Sequence, residues 1–229
     1  TVSHDLRAPL RHIHHYIEMG MDAANGPEGV QAMTPFLNHV LSSTSHMGKL
    51  IDGLLDLARL GRTALRQMPV PMGELVQELV GVQQTQERQR SPAQGLADTD
   101  RVEWVMSPDW PVVPCDPVLV RQVWNNLLSN ALKYSRKRDK VRIEVGVRPR
   151  DDGLAEFFVA DNGVGFDPRF RDKLFGMFQR LHSESEFEGT GIGLALTRKI
   201  VERHGGSIWA DGEKNVGCTI SFTLPLTAR

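Results

Sequence analysis

The sequence predicts an α+β fold in which a helical hairpin precedes a two-layer α/β sandwich. Apolar residues recur every three or four positions over the first 67 residues, which is typical of amphipathic helices. Beyond them, helical patterns alternate with short stretches of strand-like alternation, which indicate a mostly antiparallel sheet covered by helices. We therefore assign residues 1–67 to one domain and residues 68–229 to a second.

The first helix carries one apolar stripe, formed by Leu6, Leu10, Ile13 and Ile17. At about 100° per residue, His4 lies roughly opposite the mean direction of this stripe. The stripe can therefore be buried while the imidazole of His4 faces outward. Pro9 lies inside the same helix and predicts a bend just beyond His4.

A second helix follows the turn signal Asn25-Gly26-Pro27, and two starting points are open. Either Pro27 begins the helix, or Thr34 caps it with Pro35 in its first turn. Its apolar seam has heptad-like spacing and comprises Leu37, Val40, Thr44, Met47, Ile51, Leu54 and Ala58. A hairpin with two such narrow stripes is too thin to be stable alone, so we predict that residues 1–67 form a homodimeric four-helix bundle.

The elements of the second domain can be read in order along the chain. Asp116-Pro117 is a good helix opening, because an acceptor cap is followed by proline. Residues 91–100 form a polar loop. The predicted helices are 74–90, the one opening at Asp116, and 194–204; the predicted strands are 102–106, one near Val112, 140–147, 155–161, 207–211 and 218–224, with 65–72 as an edge strand or linker.

Composition excludes several classes of protein. The net charge of −1 gives no attraction to nucleic acid, and the two cysteines suit a reducing cytosol. No apolar run approaches the roughly 20 residues of a membrane span, so we expect no membrane segment in this fragment and a cytoplasmic location. The helical pattern begins at Thr1, and we expect an upstream sensor domain to be missing from this chain.

One helix carries Asn126, Asn130 and Lys133 at spacings of four and three, which stack them on one face. Two amide oxygens and an ammonium suit a polyphosphate bound with magnesium, because magnesium prefers oxygen ligands and keeps several waters. Taken alone, this face is more typical of a polar helix surface, because polar faces are common on amphipathic helices.

Two glycine-rich stretches follow. In D-N-G-V-G-F-D, residues 161–167, a carboxylate at a strand end can accept a hydrogen bond from the amino group of a base, although a simple Asn-Gly turn fits too. In E-G-T-G-I-G-L-A-L, residues 188–196, glycines open a helix whose N–H groups favour phosphate. This stretch follows no predicted strand, so it is not a dinucleotide-binding fingerprint.

Together and in this order, these motifs resemble the ATP-binding domain of sensor histidine kinases. The asparagine helix resembles the N box, D-N-G-V-G-F the G1 box, L-F-G-M-F-Q-R the F box and G-T-G-I-G-L the G2 box. The opening S-H-D-L-R-A-P-L resembles the H box of the dimerisation and histidine phosphotransfer domain. The match spans nearly the whole chain, and its wording is most similar to phytochrome-like kinases.

The resemblance implies roles for individual residues. His4 would be phosphorylated, Asp5 would orient its imidazole and take up its proton, and Arg180 would reach the γ-phosphate. Asn130 would bind the metal, Mg²⁺. Phe175 and Phe178 would anchor a mobile lid, residues about 166–190. The remaining nucleotide-binding positions are Asn126, Lys133, Asp161, Gly163, Gly165, Gly189, Gly191, Gly193 and Thr219.

The implied function is a protein-histidine kinase that uses ATP and Mg²⁺ and passes the phosphoryl group to the receiver domain of a response regulator. In many family members threonine or asparagine occupies the fourth position after the histidine, where it positions water for dephosphorylation. Here that position is Ala8, which predicts weak or differently organised phosphatase activity.

Two other functions share part of this pattern. Topoisomerase, chaperone and mismatch-repair ATPases have the same ATP-binding fold but lack the helical hairpin in front. A degenerate scaffold would lack N-box or glycine residues, and none is missing here. The kinase therefore accounts for more of the chain than either alternative.

Overall fold

A computed structural model describes residues 2–25, 29–60, 64–90, 101–183 and 186–227 of the chain. The side chains of residues 2–6 and of Arg90 lie outside that description. The predicted turn at Gly26 and the predicted loop 91–100 also fall outside it.

The predicted helical hairpin is present. It comprises α1 (Val2–Ala24), a short 3-10 helix (Gly29–Met33) and α2 (Thr34–Leu60). The helices pack side by side, and Tyr16 of α1 stacks on His39 of α2 with ring centroids 4.6 Å apart. Helix α2 begins at Thr34, near the second predicted start, and α1 continues through Pro9 as one α-helix.

Several apolar side chains of the hairpin are exposed in a single chain. Leu41 is 67% exposed, although a leucine of an amphipathic helix normally faces a core. Other exposed apolar side chains on the two helices are Leu10, Ile17, Leu37, Ile51 and Leu55. Exposed apolar side chains of this kind mark an interaction surface, which is consistent with the predicted homodimer.

Two sheets form the framework of the second domain. The strands are β1 (Met68–Pro71), β2 (Val102–Met106), β3 (Val112–Cys115), β4 (Val141–Arg148), β5 (Leu154–Asp161), β6 (Ile208–Glu213) and β7 (Gly217–Pro225). Strands β1 and β3 pair antiparallel, and the larger sheet has the order β2-β4-β5-β7-β6. Its pairs are antiparallel except for β2 and β4, as the sequence predicts for a mostly antiparallel sheet.

Three helices accompany the sheet, namely α3 (Met72–Arg90), α4 (Pro117–Ser135) and α5 (Gly193–Arg203). Helix α4 packs on β4 and β5, while α5 packs on β6 and β7. Trp124 of α4 is fully buried, with its ring centroid 5.8 Å from Phe157 and 5.1 Å from Phe222. The domain is therefore the predicted two-layer α/β sandwich, with an aromatic core between helices and sheet.

Asp116 fixes the start of α4. Its carboxylate accepts hydrogen bonds from the N–H groups of Val118 and Leu119, at 3.1 and 3.3 Å, and satisfies donors that the first helical turn leaves without partners. The same carboxylate accepts from the N–H of Arg66 at 3.1 Å, in the segment that follows α2. This cap sets the position of the asparagine-bearing face of α4.

Candidate functional site

A cavity of about 220 Å³ lies between α4, the beginning of α5, the lid segment 166–190 and the ends of β5 and β7. Most of the predicted nucleotide-binding residues line it. They are Asn126, Asn130, Lys133, Asp161, Gly165, Arg180, Gly189, Gly191 and Gly193. Residues of the N box, G1 box, F box and G2 box therefore meet at one place.

The asparagine helix contributes the polar wall. Asn126 donates from Nδ2 to the carbonyl of Gly193 at 3.2 Å and to Oγ1 of Thr197 at 3.4 Å, which ties α4 to α5. Asn130, one turn further along α4, is half-buried and lines the cavity. Both asparagines thus line the cavity, and Asn126 in addition joins the two helices.

Lys133 brings positive charge to the same wall. Burial lowers the pKa of Lys133 to about 8, and the nearby Arg180 and Arg136 act in the same direction against Glu188. Its Nζ lies 4.3 Å from the centroid of the Tyr134 ring. A polyphosphate placed here would meet the ammonium of Lys133, whose named charged neighbours are two cations and one anion. The negative charge of the polyphosphate would raise the pKa of Lys133.

Asp161 stands at the end of β5 and also lines the cavity. Its Oδ1 accepts a hydrogen bond from the N–H of Gly163 at 2.8 Å, and the N–H of Cys218 also donates to the carboxylate. Burial raises the pKa of Asp161 to about 6, while these two backbone donors oppose the rise. Two backbone donors thus hold the carboxyl group, which also lines the cavity.

The two glycines of the D-N-G-V-G stretch serve the loop in different ways. A Cβ on Gly163 would lie 2.6 Å from the carbonyl oxygen of Tyr134 and 2.7 Å from Oδ1 of Asp161. Gly165 has φ +59°, and a Cβ there would clash with the carbonyl of Glu213. Gly163 does not line the cavity, so its function is to let the loop pass close to α4 and Asp161.

The lid segment closes the cavity through contacts that the sequence pattern did not reveal. His182 bonds through Nε2 to the carbonyl of Gly165 at 3.0 Å. Its ring lies against Tyr134 and Phe187, with centroids 5.4 Å away in both cases. Arg180 donates to the carbonyl of Phe187 at 2.7 Å. Tyr134 directly follows the lysine of the N box and Phe187 shortly precedes the G2 box, and this aromatic pair is the signal from which the cluster could have been predicted.

The G2 glycines form the junction between lid and α5. Gly191 has φ +70°, and its carbonyl accepts from the N–H of Phe178 at 3.0 Å. A Cβ on Gly191 would lie 2.9 Å from the backbone of Phe178. Phe175, one of the two phenylalanines predicted to anchor the lid, is buried.

His4 and Asp5 lie in α1, but their side chains are outside the described part of the chain. The residues that follow them on α1 can be placed. Ala8, Pro9 and His12 line a cleft of about 190 Å³ between the hairpin and the lid. Arg180 and Thr190 line this cleft and also the larger cavity, so the two recesses share a wall.

The structure does not bring Thr219 into the cavity. On β7 the residues that line it are Cys218 and Ile220, and side chains alternate between the two faces of a strand. Thr219 pairs with Ala160 and Asp211 on the opposite face of the sheet. The prediction that Thr219 borders the cavity is therefore corrected: Cys218 and Ile220 are the β7 residues that line it.

The donor set fits a hard cation. Across the described residues, no group of three or more His, Cys, Asp or Glu side chains could hold a metal ion. Asn130 offers an amide oxygen in the cavity instead. Magnesium, which is content with few protein oxygens when phosphate oxygens and waters complete its shell, suits this arrangement.

Two family models match the chain. The His Kinase A (phospho-acceptor) domain matches residues 1–63, and the histidine kinase-, DNA gyrase B- and HSP90-like ATPase matches residues 115–228. In the described helices, no stretch has the length and hydropathy that a transmembrane span requires.

Individual proteins extend this likeness over nearly the whole chain. Methanogenesis regulatory histidine kinase FilI of Methanothrix harundinacea is 35% identical over 225 residues, covering 98% of this chain and 24% of that protein. Cyanobacterial phytochrome B of Nostoc sp. is 35% identical over 227 residues, covering 97% of this chain and 28% of that protein. The chain thus spans about a quarter of the length of these relatives.

Among solved structures, histidine kinase ThkA in complex with response regulator protein TrrA has a similar fold. The TM-score is 0.69 at 18% identity, and the match covers 99% of this chain and 60% of that one. The likeness includes both the helical hairpin and the sandwich.

Proposed function

Because the chain belongs to the sensor histidine kinase family, we propose that it transfers the γ-phosphoryl group of ATP to His4 and then to an aspartate of a response regulator. The observation that carries this proposal is the wall shared by the two recesses. Arg180 and Thr190 face both the large cavity and the cleft beside α1. A triphosphate that reached this wall would end close to the helix that bears His4.

The polarity of the cavity supports one orientation of ATP. Asp161, at the end of β5, would accept a hydrogen bond from the exocyclic amino group of adenine. Lys133 and Arg180 would meet the phosphates, because their positive charges lie close enough together to act on each other. This orientation directs the γ-phosphate toward the hairpin.

Asn130 would hold Mg²⁺ with Asn126 and Lys133 near the phosphates. The ion would neutralise charge on the β- and γ-phosphoryl oxygens, which is its usual contribution to phosphoryl transfer. The protein itself supplies position and further positive charge, through Lys133 and Arg180.

In the transfer step, a ring nitrogen of neutral His4 would attack the γ-phosphorus. The N–P bond forms as the bond from phosphorus to the bridging oxygen breaks, and ADP leaves with that electron pair. Asp5, next in sequence, would hold the imidazole and accept the proton from its other nitrogen. In the second step an aspartate oxygen of the receiver domain would attack the same phosphorus as the N–P bond breaks, and the other ring nitrogen of His4 would take back its proton, so that His4 leaves as neutral imidazole.

The partners follow from this chemistry. Two copies would associate through residues 1–67, a receiver domain would dock beside His4, and an upstream sensor domain would control the reaction. Cellular ATP is cytoplasmic, so we place the catalytic core there. Ala8 has no hydrogen-bonding side chain, so phosphatase activity toward the regulator would be weak.

The experiment is incubation of the chain with Mg²⁺ and γ-labelled ATP, with a cognate receiver domain added afterwards. We expect an acid-labile, base-stable label that His4→Gln abolishes, a mass of two chains by light scattering, and slow loss of label from the receiver. ATP turnover without label on the protein contradicts the kinase. A monomeric mass contradicts the homodimer. Rapid dephosphorylation of the receiver domain contradicts the weak phosphatase activity.

A further inference from the structure

Arg138 lies between the end of α4 and the beginning of β4, and its side chain is half-buried. Its guanidinium donates from Nε to the carbonyl of Asn162 at 2.7 Å and from Nη2 to the carbonyl of Gly163 at 3.0 Å. Nη2 also donates to the carbonyl of Asn215. One side chain therefore joins the loop after β5 to the turn between β6 and β7.

The first of these bonds has a direct consequence for Asp161. The carbonyl of Asn162 and the N–H of Gly163 belong to the same peptide group. Arg138 donates to the oxygen of that peptide group. The N–H of the same group, which is that of Gly163, donates to Oδ1 of Asp161 at 2.8 Å. Because a peptide group is planar, fixing its oxygen fixes the direction of its N–H. A cation at the oxygen also strengthens the N–H as a donor.

The backbone of Arg138 is itself held in place. Its carbonyl accepts hydrogen bonds from Nε and Nη2 of Arg101 at 3.3 and 3.0 Å. The side chain of Asn162 accepts from the N–H of Arg142 and donates to the carbonyl of Lys140, both at 2.9 Å. The loop after β5 is thus hydrogen-bonded to residues 138–142 through both Arg138 and Asn162. Of these contacts, the bond from Arg138 to the carbonyl of Asn162 is the one that involves the peptide group next to Asp161.

We propose that Arg138 is a positioning residue for base selection: through the Asn162–Gly163 peptide it holds the Asp161 carboxylate where it accepts from adenine and repels guanine. This inference rests on the proposed function. Adenine presents an amino group at C6, whereas guanine presents a carbonyl oxygen there. A carboxylate of Asp161 that is fixed in place repels the carbonyl oxygen of guanine. A carboxylate that is free to move can turn away from this oxygen and so tolerates guanine. Three carbonyl acceptors also match the planar fork of arginine better than the point charge of lysine.

The test measures dissociation constants of Mg-ATP and Mg-GTP by calorimetry on the whole chain. Removing a charged donor costs enough to weaken binding about tenfold, so we expect Arg138→Ala to weaken ATP by about that factor with GTP changed less than twofold. Arg138→Lys should lie in between. Arg150→Ala is the matched control, because Arg150 lies in the turn between β4 and β5 and pairs with Asp152 and Glu156, at the other end of these strands from Arg138.

A purely structural role would lower the melting temperature and leave the ATP-to-GTP affinity ratio unchanged, which would overturn the inference. If Arg138→Ala does not fold, Arg138→Lys is judged by the same ratio. A double-mutant cycle adds a second criterion: in an Asp161→Asn background, Arg138→Ala should no longer change the ratio.

The outcome also separates this inference from the proposed function. A wild-type chain that binds neither nucleotide contradicts the proposed function. The alternative result is a wild type that prefers ATP, with a preference that Asp161→Asn abolishes and Arg138→Ala preserves. This result contradicts only the role of Arg138.

Discussion

Asp161 keeps its carboxyl group where ionisation is costly. Its pKa of about 6 in the folded chain exceeds the ordinary value of 3.8, because burial outweighs the two backbone donors. The folded state therefore binds the proton more tightly than the unfolded state. The contribution of Asp161 to the free energy of unfolding is greatest at pH values below its ordinary pKa of 3.8, and it is lost as pH rises through about 6.

We predict that Asp161→Asn stabilises the nucleotide-free chain at pH 7.5, because it removes this cost. A gain of about 1 kcal/mol would raise the melting temperature by ~2–4 °C. ATP should stabilise the wild type but not the variant, and wild-type affinity for ATP should fall as pH drops through about 6. Asp109→Asn, at an exposed carboxylate, is the control in thermal unfolding. An unchanged or lower melting temperature in the nucleotide-free variant would contradict the prediction.

Single residues also show where sequence reasoning stopped. Asp161 and Asn130 were predictable because their side chains carry the chemistry within short motifs. Arg138 was not, because its acceptors are backbone carbonyls of Asn162, Gly163 and Asn215, and any residue type offers a carbonyl. A motif gives only a position along the strand, so it could not show on which face of β7 the side chain of Thr219 lies. Cys218 pairs with Asp161, and their shared face is the one that lines the cavity.

At the scale of elements, one histidine joins the two helices that frame the cavity. His204, at the end of α5, is 4% exposed and donates from Nδ1 to the carbonyl of Ile200 at 2.8 Å. Its Nε2 accepts from the N–H of Asp116 at 3.0 Å, just before α4. Burial lowers the pKa of His204, with Arg203 acting in the same direction and the Ile200 carbonyl and Asp116 in the opposite one.

We predict that protonation of His204 loosens this junction. Its pKa is lower in the folded chain than the ordinary 6.5, so the unfolded state binds more protons as pH falls below 6.5 and stability declines there. His204→Gln stays neutral and should show a smaller loss of melting temperature between pH 7.5 and 5.5 than the wild type. His14→Gln, at an exposed histidine of α1, should retain the wild-type slope. Equal slopes in wild type and His204→Gln would disprove the role.

Most elements were predictable because their signals are local. Asp116-Pro117 marked the beginning of α4, and alternation marked β4 and β5. Helix α3 begins at Met72, two residues before the predicted start at Glu74, since nothing local distinguishes its first turn from the end of β1. The packing of the hairpin against the sandwich had no signal of this kind, because it depends on contacts between distant segments.

At the scale of the whole molecule, α2 lies against the beginning of α5. Leu50 of α2 is 2% exposed, and Ile192, which precedes α5, is equally buried. Gly53 makes the close approach possible. A Cβ on Gly53 would lie 2.9 Å from Cγ2 and 3.0 Å from Cδ1 of Ile192. This contact fixes the hairpin beside the G2 glycines, and hence beside the wall formed by Arg180 and Thr190.

We predict that Gly53→Ala slows phosphorylation of His4 without weakening ATP binding. The added methyl group would displace the sandwich from α2, and small misplacements of reacting groups can lower rates by about tenfold or more. Gly48→Ala is the matched control, because it adds the same methyl group to the same helix where nothing lies within 4 Å. Both changes favour the helix by about 1 kcal/mol, so helix propensity cannot separate them. Single-turnover rates at saturating ATP should fall about tenfold for Gly53→Ala alone, with dissociation constants for ATP within twofold of wild type. Equal rates in the two variants would mean that this docking of hairpin on sandwich does not serve phosphoryl transfer.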